Sequence, residues 1–278
     1  MFHARGIKRT ALLLKAVRAQ YAAPMLNTLF TDSQGPSTPL LIVHGLYGSG
    51  RNWSVIAKRL SDRGAVATVD LRNHGDSFWS DDHSYPDMAA DLAQVIEAHG
   101  GLMDVVGHSM GGKAAMVLAL TRPELVNRLI VADIAPVAYT HSQIQFIEAM
   151  RAVDLSAIEK RSDASAQLAA HVDDPTLQAF FTQSLDVKGK RWKLNLDALA
   201  AEMPKILGFP DLEGSFDKPT LFLSGAQSDY VTQEYRPKIK GLFPKARFAK
   251  IPGAGHWLHA EKPREFEASV RAFLDLDQ

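Results

Sequence analysis

The chain has 278 residues, of which 46% are hydrophobic and 22% charged, an ordinary globular composition that can bury a large core. Lysine plus arginine and aspartate plus glutamate each total 31, so no net field favours a nucleic-acid partner or an anionic membrane. Cysteine is absent, which excludes disulfides, thiolate catalysis and cysteine-ligated zinc, and no apolar run reaches the ~20 residues needed for membrane insertion.

Residues 1–24 form an N-terminal extension that we expect to lie outside the fold and to be disordered. The first 31 residues contain no acidic side chain, and Lys15 and Arg18 interrupt the apolar stretch that a secretory signal would need. An amphipathic, transit-like segment fits the pattern better. We favour a solvated extension, or translation from Met25, and a cytoplasmic protein.

Predicted strands and helices alternate from residue 25 onward. Strands are predicted at 25–30, 39–43, 65–69, 102–106, 129–132, 219–225 and 246–251, and helices at 53–60, 85–99, 113–120 and 263–274. This alternation is typical of a mostly parallel, doubly wound α/β sheet, in which ligands bind beyond the carboxyl ends of the strands.

Residues 137–217 break the alternation, and we expect them to form a helical lid inserted between two core segments, 25–136 and 218–278. Helical patterns run over 143–153, 155–172, 175–185 and 195–207, and a shorter charged run covers 187–196. An ordinary helical subdomain is the alternative. The candidate lining residues of an apolar acyl pocket are Phe146, Met150, Phe180, Phe181 and Trp192, although such residues more often belong to a core.

The segment 107–111 reads Gly-His-Ser-Met-Gly between a predicted strand and a predicted helix. This order is that of a nucleophile elbow, a sharp turn that presents a serine at the N-terminus of the following helix. Glycines on either side let the strand and the helix approach closely. The sequence therefore predicts Ser109 as a catalytic nucleophile.

A serine hydroxyl needs a general base, and His256 is the best candidate because it follows the last predicted strand in a glycine-rich loop. His259 ranks second, because it lies where a helical turn begins. His108 adjoins the serine, but neighbouring side chains on a tight turn diverge. We therefore predict that His256 takes the proton from Ser109.

Two aspartates compete to orient the histidine. Asp133 ends the strand that follows the elbow helix, and Asp229 lies in the loop after the next core strand. Both preserve the chain order Ser, Asp, His. We favour Asp133, with Ser228 hydrogen-bonded to the same imidazole, and keep Asp229 as the alternative.

An oxyanion hole requires backbone N–H donors, which we assign to Met110, after the nucleophile, and Leu46, on the loop after the strand 39–43. We expect His44 to shape that loop. The neighbouring loop contains Arg72, His74 and Asp76, which we expect mainly to brace the site.

Together these segments resemble the α/β-hydrolase superfamily. The resemblance extends from residue 26 to the C-terminus and rests on the segments 44–46, 70–77, 107–113 and 255–257. Lys113 and the segments 133–137, 192–199 and 255–263 are similar to the YbfF-type bacterial esterases and the abhydrolase domain-containing protein 11 group. That resemblance implies no cofactor, acyl ester or thioester substrates including acyl-CoA, and an acid at Asp133 assisted by Ser228. Asp229 departs from the usual family pattern, which has Gly-x-x-Asp in that loop.

We therefore expect a serine hydrolase that cleaves carboxylic esters or acyl thioesters through an acyl-enzyme on Ser109. A non-catalytic ligand- or partner-binding protein of the same fold is the alternative, favoured only if a catalytic role had no candidate residue. The ten histidines show no convincing metal-ligand spacing with carboxylates, so we expect no metal. We expect a monomer or small homo-oligomer without a nucleic-acid partner.

Overall fold

Strand order in the central sheet determines which loops meet at the site. The computed structural model describes residues 24–33 and 35–275. Within them the strands are β1 (Thr28–Thr31), β2 (Leu40–Val43), β3 (Val66–Val69), β4 (Met103–His108), β5 (Val126–Ala132), β6 (Leu185–Asp186), β7 (Arg191–Trp192), β8 (Thr220–Gly225) and β9 (Ala246–Ile251). Seven of these form a sheet of order β1-β3-β2-β4-β5-β8-β9, in which β1 is antiparallel to β3 and the other neighbours are parallel.

The helices cover both faces of the sheet and fill the insertion. They are α1 (Ser54–Leu60), α2 (Tyr85–Glu97), α3 (Met110–Thr121), α4 (Ile144–Arg151), α5 (Arg161–Leu168), α6 (Pro175–Thr182), α7 (Leu196–Ala201), α8 (Met203–Leu207), α9 (Arg236–Leu242), α10 (Leu258–Glu261) and α11 (Pro263–Leu274). Helix α2 begins where the Ser84 hydroxyl accepts the Asp87 N–H, and Pro86 fits its first turn.

Apolar residues on both faces explain why the strands are continuously hydrophobic. Every residue of β2 is buried, and its side chains alternate between two cores. Leu40 and Ile42 pack on the side of α1 and α11, whereas Leu41 and Val43 pack with α2, α3 and the insertion. The predicted mostly parallel, doubly wound α/β sheet is therefore confirmed.

Strand β4 lies between β2 and β5, and this position assembles the site. Gly107 is paired with Val43 on one side and Val131 on the other. Residues directly after β2 and β5 therefore flank the residue after β4, while β8 and β9 bring the loops that follow them to the same edge.

The insertion between β5 and β8 differs in detail from its prediction. The predicted helix 155–172 is a 3-10 turn, Leu155–Ala157, followed by the shorter α5. The carboxylate of Asp163 accepts the backbone N–H groups of Glu159 and Lys160 and starts α5 there.

Two other predicted segments of the insertion also differ. The predicted helix 195–207 is two helices, because Pro204 starts the second. The charged run 187–196 contains most of the hairpin β6–β7. Of the predicted extension 1–24, all but Pro24 lies outside the described residues.

Candidate active site

Ser109 occupies a strained turn between β4 and α3. Its backbone has φ 51° and ψ −120°, a conformation that L-residues rarely adopt. A Cβ on Gly107 would lie 2.4 Å from the carbonyl oxygen of Gly111, and a Cβ on Gly111 would lie 2.3 Å from that of His44. Glycine at both positions therefore allows the close packing that presents the serine at the sheet edge.

A hydrogen-bonded chain joins three side chains from distant parts of the sequence. Ser109 Oγ lies 3.1 Å from His256 Nε2, and His256 Nδ1 lies 2.8 Å from Asp133 Oδ2. His256 is in the loop after β9, which is tied down by the Gly255 N–H donating to Glu261. The three predicted residues are thus brought together, in the order hydroxyl, imidazole, carboxylate.

Asp133 is completely buried, and its carboxylate accepts donors on both oxygens. The Gly225 N–H donates to Oδ1 at 3.1 Å, and the Ser228 hydroxyl donates to Oδ2 at 2.5 Å. The hydrogen bond of Ser228 thus goes to the carboxylate, whereas we expected it to go to the imidazole. Asp229, the alternative acid, is exposed to solvent.

The other two histidines considered as bases make structural contacts beside the site. His108 Nε2 donates to the carbonyl of His256 at 2.9 Å. His259 is stacked on Trp53, with ring centroids 4.0 Å apart, and burial together with the nearby His256 lowers the pKa of His259 to about 3.

The loop after β2 holds the Gly45–Leu46 peptide in a fixed orientation. The Gly45 carbonyl accepts hydrogen bonds from His44 Nδ1, at 2.7 Å, and from the Gly48 N–H, at 3.1 Å. The Leu71 N–H donates to His44 Nε2, which leaves the ring proton on Nδ1. Burial lowers the pKa of His44, so the ring stays neutral. Sequence reasoning gave His44 a shaping role without this mechanism.

Arg72, His74 and Asp76 brace the neighbouring loop. Arg72 makes two hydrogen bonds to Asp91, at 2.6 and 2.9 Å. His74 donates through Nδ1 to the Arg72 carbonyl and accepts the Tyr47 N–H on Nε2. Asp76 pairs with Lys193 of the insertion at 2.7 Å.

A cavity of about 320 Å³ adjoins Ser109 and is mostly apolar. Leu46 and Met110, the predicted oxyanion donors, both line it. Of the five predicted pocket residues, Phe146, Phe180 and Phe181 also line it. Met150 and Trp192 do not: they pack together in the core of the insertion, where the Trp192 indole donates to the Met150 carbonyl. Hydrophobic spacing alone could not separate these two groups.

Lys113 lines the same cavity, although the sequence gave it no role. It is almost fully buried in α3, and Nζ donates to the carbonyls of Leu207 and Gly208, at 2.9 and 2.5 Å. Nζ also lies 4.8 Å from the centre of the Tyr139 ring. Burial lowers the pKa of Lys113 to about 7. Its signal in the sequence was a lysine within the otherwise apolar helix that follows the nucleophile elbow.

The described residues offer neither a candidate metal cluster nor a candidate membrane span. No cluster of three or more histidine, aspartate or glutamate side chains there is arranged to hold a metal ion. No helix in the same part of the chain combines the length and apolar character required to cross a bilayer.

Comparison with known proteins shows which family the chain belongs to. The profile of the alpha/beta hydrolase fold matches residues 38–263. The sn-1-specific diacylglycerol lipase ABHD11 of Mus musculus is 42% identical over 89% of this chain and 84% of its own length. Esterase YbfF of Escherichia coli K12 is 36% identical over 88% of this chain and 96% of its own length. The chain therefore belongs to the α/β-hydrolase family.

A solved structure is also similar to this chain. A marine microorganism esterase superposes with a TM-score of 0.85 and 38% identity, covering 90% of this chain and all of that one. The expected resemblance to the α/β hydrolases, and within them to the YbfF and abhydrolase domain-containing protein 11 groups, is confirmed.

Proposed function

We propose that this protein is a serine hydrolase that cleaves carboxylic esters, and acyl thioesters such as acyl-CoA, through an acyl-enzyme on Ser109. The observation that carries the proposal is the hydrogen-bonded chain Ser109–His256–Asp133 at the wall of an apolar cavity. The esterase and lipase names of the relatives support the same chemistry.

Acylation begins when Ser109 Oγ attacks the substrate carbonyl carbon while His256 Nε2 accepts the hydroxyl proton. Asp133 holds the Nδ1–H of the imidazole and stabilises the imidazolium that forms. The tetrahedral intermediate collapses, the bond to the leaving group breaks, and the proton on Nε2 passes to the departing alcohol or thiol. Water then attacks the acyl-enzyme in the same way, with His256 as the base, and releases the acid and free Ser109.

The oxyanion of each intermediate is bound by the N–H groups of Leu46 and Met110. The carbonyl of the Gly45–Leu46 peptide is held by His44 and Gly48, and in a trans peptide the N–H points the opposite way. Met110 is the first residue of α3, so its N–H belongs to the positive end of the helix. Each donor lowers the barrier by about 3 kcal/mol.

Residues 137–217 act as the lid of this enzyme, and the acyl chain binds beneath it. Phe146 and Phe180 come from this segment and line the cavity beside Ser109. They supply apolar surface against which an acyl chain can pack, and each Å² of apolar surface removed from water contributes about 25 cal/mol of favourable binding free energy.

The test is turnover of p-nitrophenyl esters and acyl-CoA by wild type and Ser109→Ala, with labelling by a fluorophosphonate probe. We expect turnover and labelling in the wild type and neither in the variant, with unchanged circular dichroism. Labelling that persists in Ser109→Ala would contradict the assignment. A folded wild type that neither turns over esters nor reacts would favour the non-catalytic binding protein.

A further inference from the structure

The phenol ring of Tyr230 covers one face of the His256 imidazole. The two ring centroids are 4.1 Å apart and the planes are inclined by 22°. Both nitrogens of the imidazole are already engaged, one by Ser109 and the other by Asp133. A stacked ring is therefore a contact that constrains the tilt of the imidazole without competing for either nitrogen.

Hydrogen bonds hold Tyr230 at both its backbone groups and its side-chain hydroxyl. Its N–H donates to Ser228 Oγ at 3.3 Å, and its carbonyl accepts the Tyr139 hydroxyl at 2.6 Å. Its own hydroxyl lies 2.7 Å from Nε2 of the exposed His141. These contacts, two of them from the insertion, fix the ring against the imidazole.

We infer that Tyr230 is a positioning residue of the proposed serine hydrolase, whose ring holds His256 in the plane joining Ser109 to Asp133 and whose π face stabilises the imidazolium formed during attack. The inference rests on the proposed function. An aromatic face attracts a cation within about 6 Å of its centroid, and most strongly where water is excluded. Tyr230 therefore favours the transition state, in which His256 carries charge, over the neutral ground state.

None of the other titratable groups considered around His256 carries a positive charge that would oppose the imidazolium. Asp133 faces Nδ1 and favours the cation. His108 and His259 pack nearby, but burial lowers the pKa of both, so they stay neutral. Burial, with the carboxylates of Asp133 and Asp229, raises the pKa of Tyr230 to about 12, so the phenol stays neutral in any ordinary assay. Asp133 and the Tyr230 ring thus stabilise the charge together.

The experiment measures kcat and the pH profile of kcat/KM for p-nitrophenyl butyrate. Tyr230→Phe keeps the ring, and Tyr230→Leu replaces it with an aliphatic side chain. Tyr235→Leu is the matched control, because it removes a neighbouring tyrosine ring that packs on Tyr139 rather than on His256. For Tyr230→Leu we expect kcat to fall about three- to thirtyfold and the acid limb to move to lower pH by about half to one and a half pH units. Tyr230→Phe and Tyr235→Leu should leave the limb in place.

Isosteric probes separate electrostatics from packing and remain informative if Tyr230→Leu does not fold. Phenylalanines carrying one, two and three fluorines at position 230 weaken the π face progressively without changing its shape. The inference is supported if each added fluorine lowers kcat further and moves the acid limb of the kcat/KM profile further to lower pH. A flat series overturns it, as does a folded Tyr230→Leu with the wild-type profile. Either result would contradict the role of Tyr230 and leave the proposed serine hydrolase unaffected. Full activity in Ser109→Ala would instead contradict the proposed hydrolase itself.

Discussion

The sheet edge and the inserted segment are held in place in different ways. At the edge, side chains bind specific side chains: Asp133 takes donors from His256 and Ser228, and Arg72 is bidentate to Asp91. Several contacts to the insertion come instead from core side chains that reach its backbone. Lys113 donates to two of its carbonyls, and Tyr85 donates to that of Ile206 at 2.5 Å.

This difference indicates which positions can change. A backbone carbonyl is present whatever side chain the residue carries, so these particular contacts do not depend on the side chains at positions 206–208. The side chains of Phe146 and Phe180 line the cavity and take no part in these contacts. The edge has less freedom where both partners are side chains, as in the bonds of Asp133 to His256 and of Arg72 to Asp91.

The largest expected effect separates the two aspartates. Asp133→Asn should lower kcat by about ten-thousandfold, because an amide can no longer hold the imidazole in the tautomer that accepts a proton on Nε2. Asp229→Asn changes an exposed position and should alter kcat by no more than about threefold. Steady-state ester hydrolysis by both variants measures this. A larger loss in Asp229→Asn than in Asp133→Asn would reverse the assignment.

The next effect tests whether His44 orients the oxyanion donor. His44→Leu removes the donor to the Gly45 carbonyl, and kcat should fall up to about a hundredfold with KM little changed, because the loss is confined to the transition state. His44→Asn keeps an N–H near the position of Nδ1 and should recover part of the rate. Equal losses in the two folded variants would show that the hydrogen bond to Gly45 does not matter.

A smaller effect should appear in the choice of acyl chain. Phe180→Ala removes apolar surface from the cavity, so kcat/KM for a long-chain p-nitrophenyl ester should fall about ten- to a hundredfold, while that for the acetate changes little. Trp192→Phe, inside the core of the insertion, is the control that should leave the chain-length profile unchanged. A uniform loss across chain lengths in Phe180→Ala would place the acyl chain elsewhere.

These two regions also differ in how far the sequence predicts them. Ser109, His256 and Asp133 each follow a recognisable strand, and parallel strands bring their carboxyl ends to one edge, so their proximity follows from the alternation alone. Tyr230 was missed because stacking on His256 depends on the path of the loop after β8, which no periodicity encodes. In the insertion, the split at Pro204 and the hairpin β6–β7 depend on local turns, and the same helical spacing describes Met150 in a core and Phe146 in a cavity.

The smallest effect concerns Lys113, the link between the two regions, and it depends on pH. The pKa of Lys113 is lowered to about 7 in the fold, against 10.5 as the ordinary value, so between these two pH values the unfolded chain binds more protons than the folded one. The contribution of Lys113 to the free energy of unfolding therefore rises with pH in that window, as the cost of burying the charge disappears. Lys113→Met keeps the apolar length of the side chain and lacks this titration.

Urea unfolding of wild type and Lys113→Met at pH 6, 8 and 9.5 measures this effect. The wild type should gain free energy of unfolding relative to the variant at each step upward, while both follow the same trend from all other groups. A difference that stays constant would mean that folding does not lower the pKa of Lys113. One that shrinks would mean that folding raises this pKa, because the carbonyls of Leu207 and Gly208 favour the cation. Because those carbonyls belong to the insertion, Lys113→Met should also lower kcat/KM for p-nitrophenyl butyrate by only a few-fold in a separate activity assay, as docking weakens and the Ser109–His256–Asp133 chain stays intact.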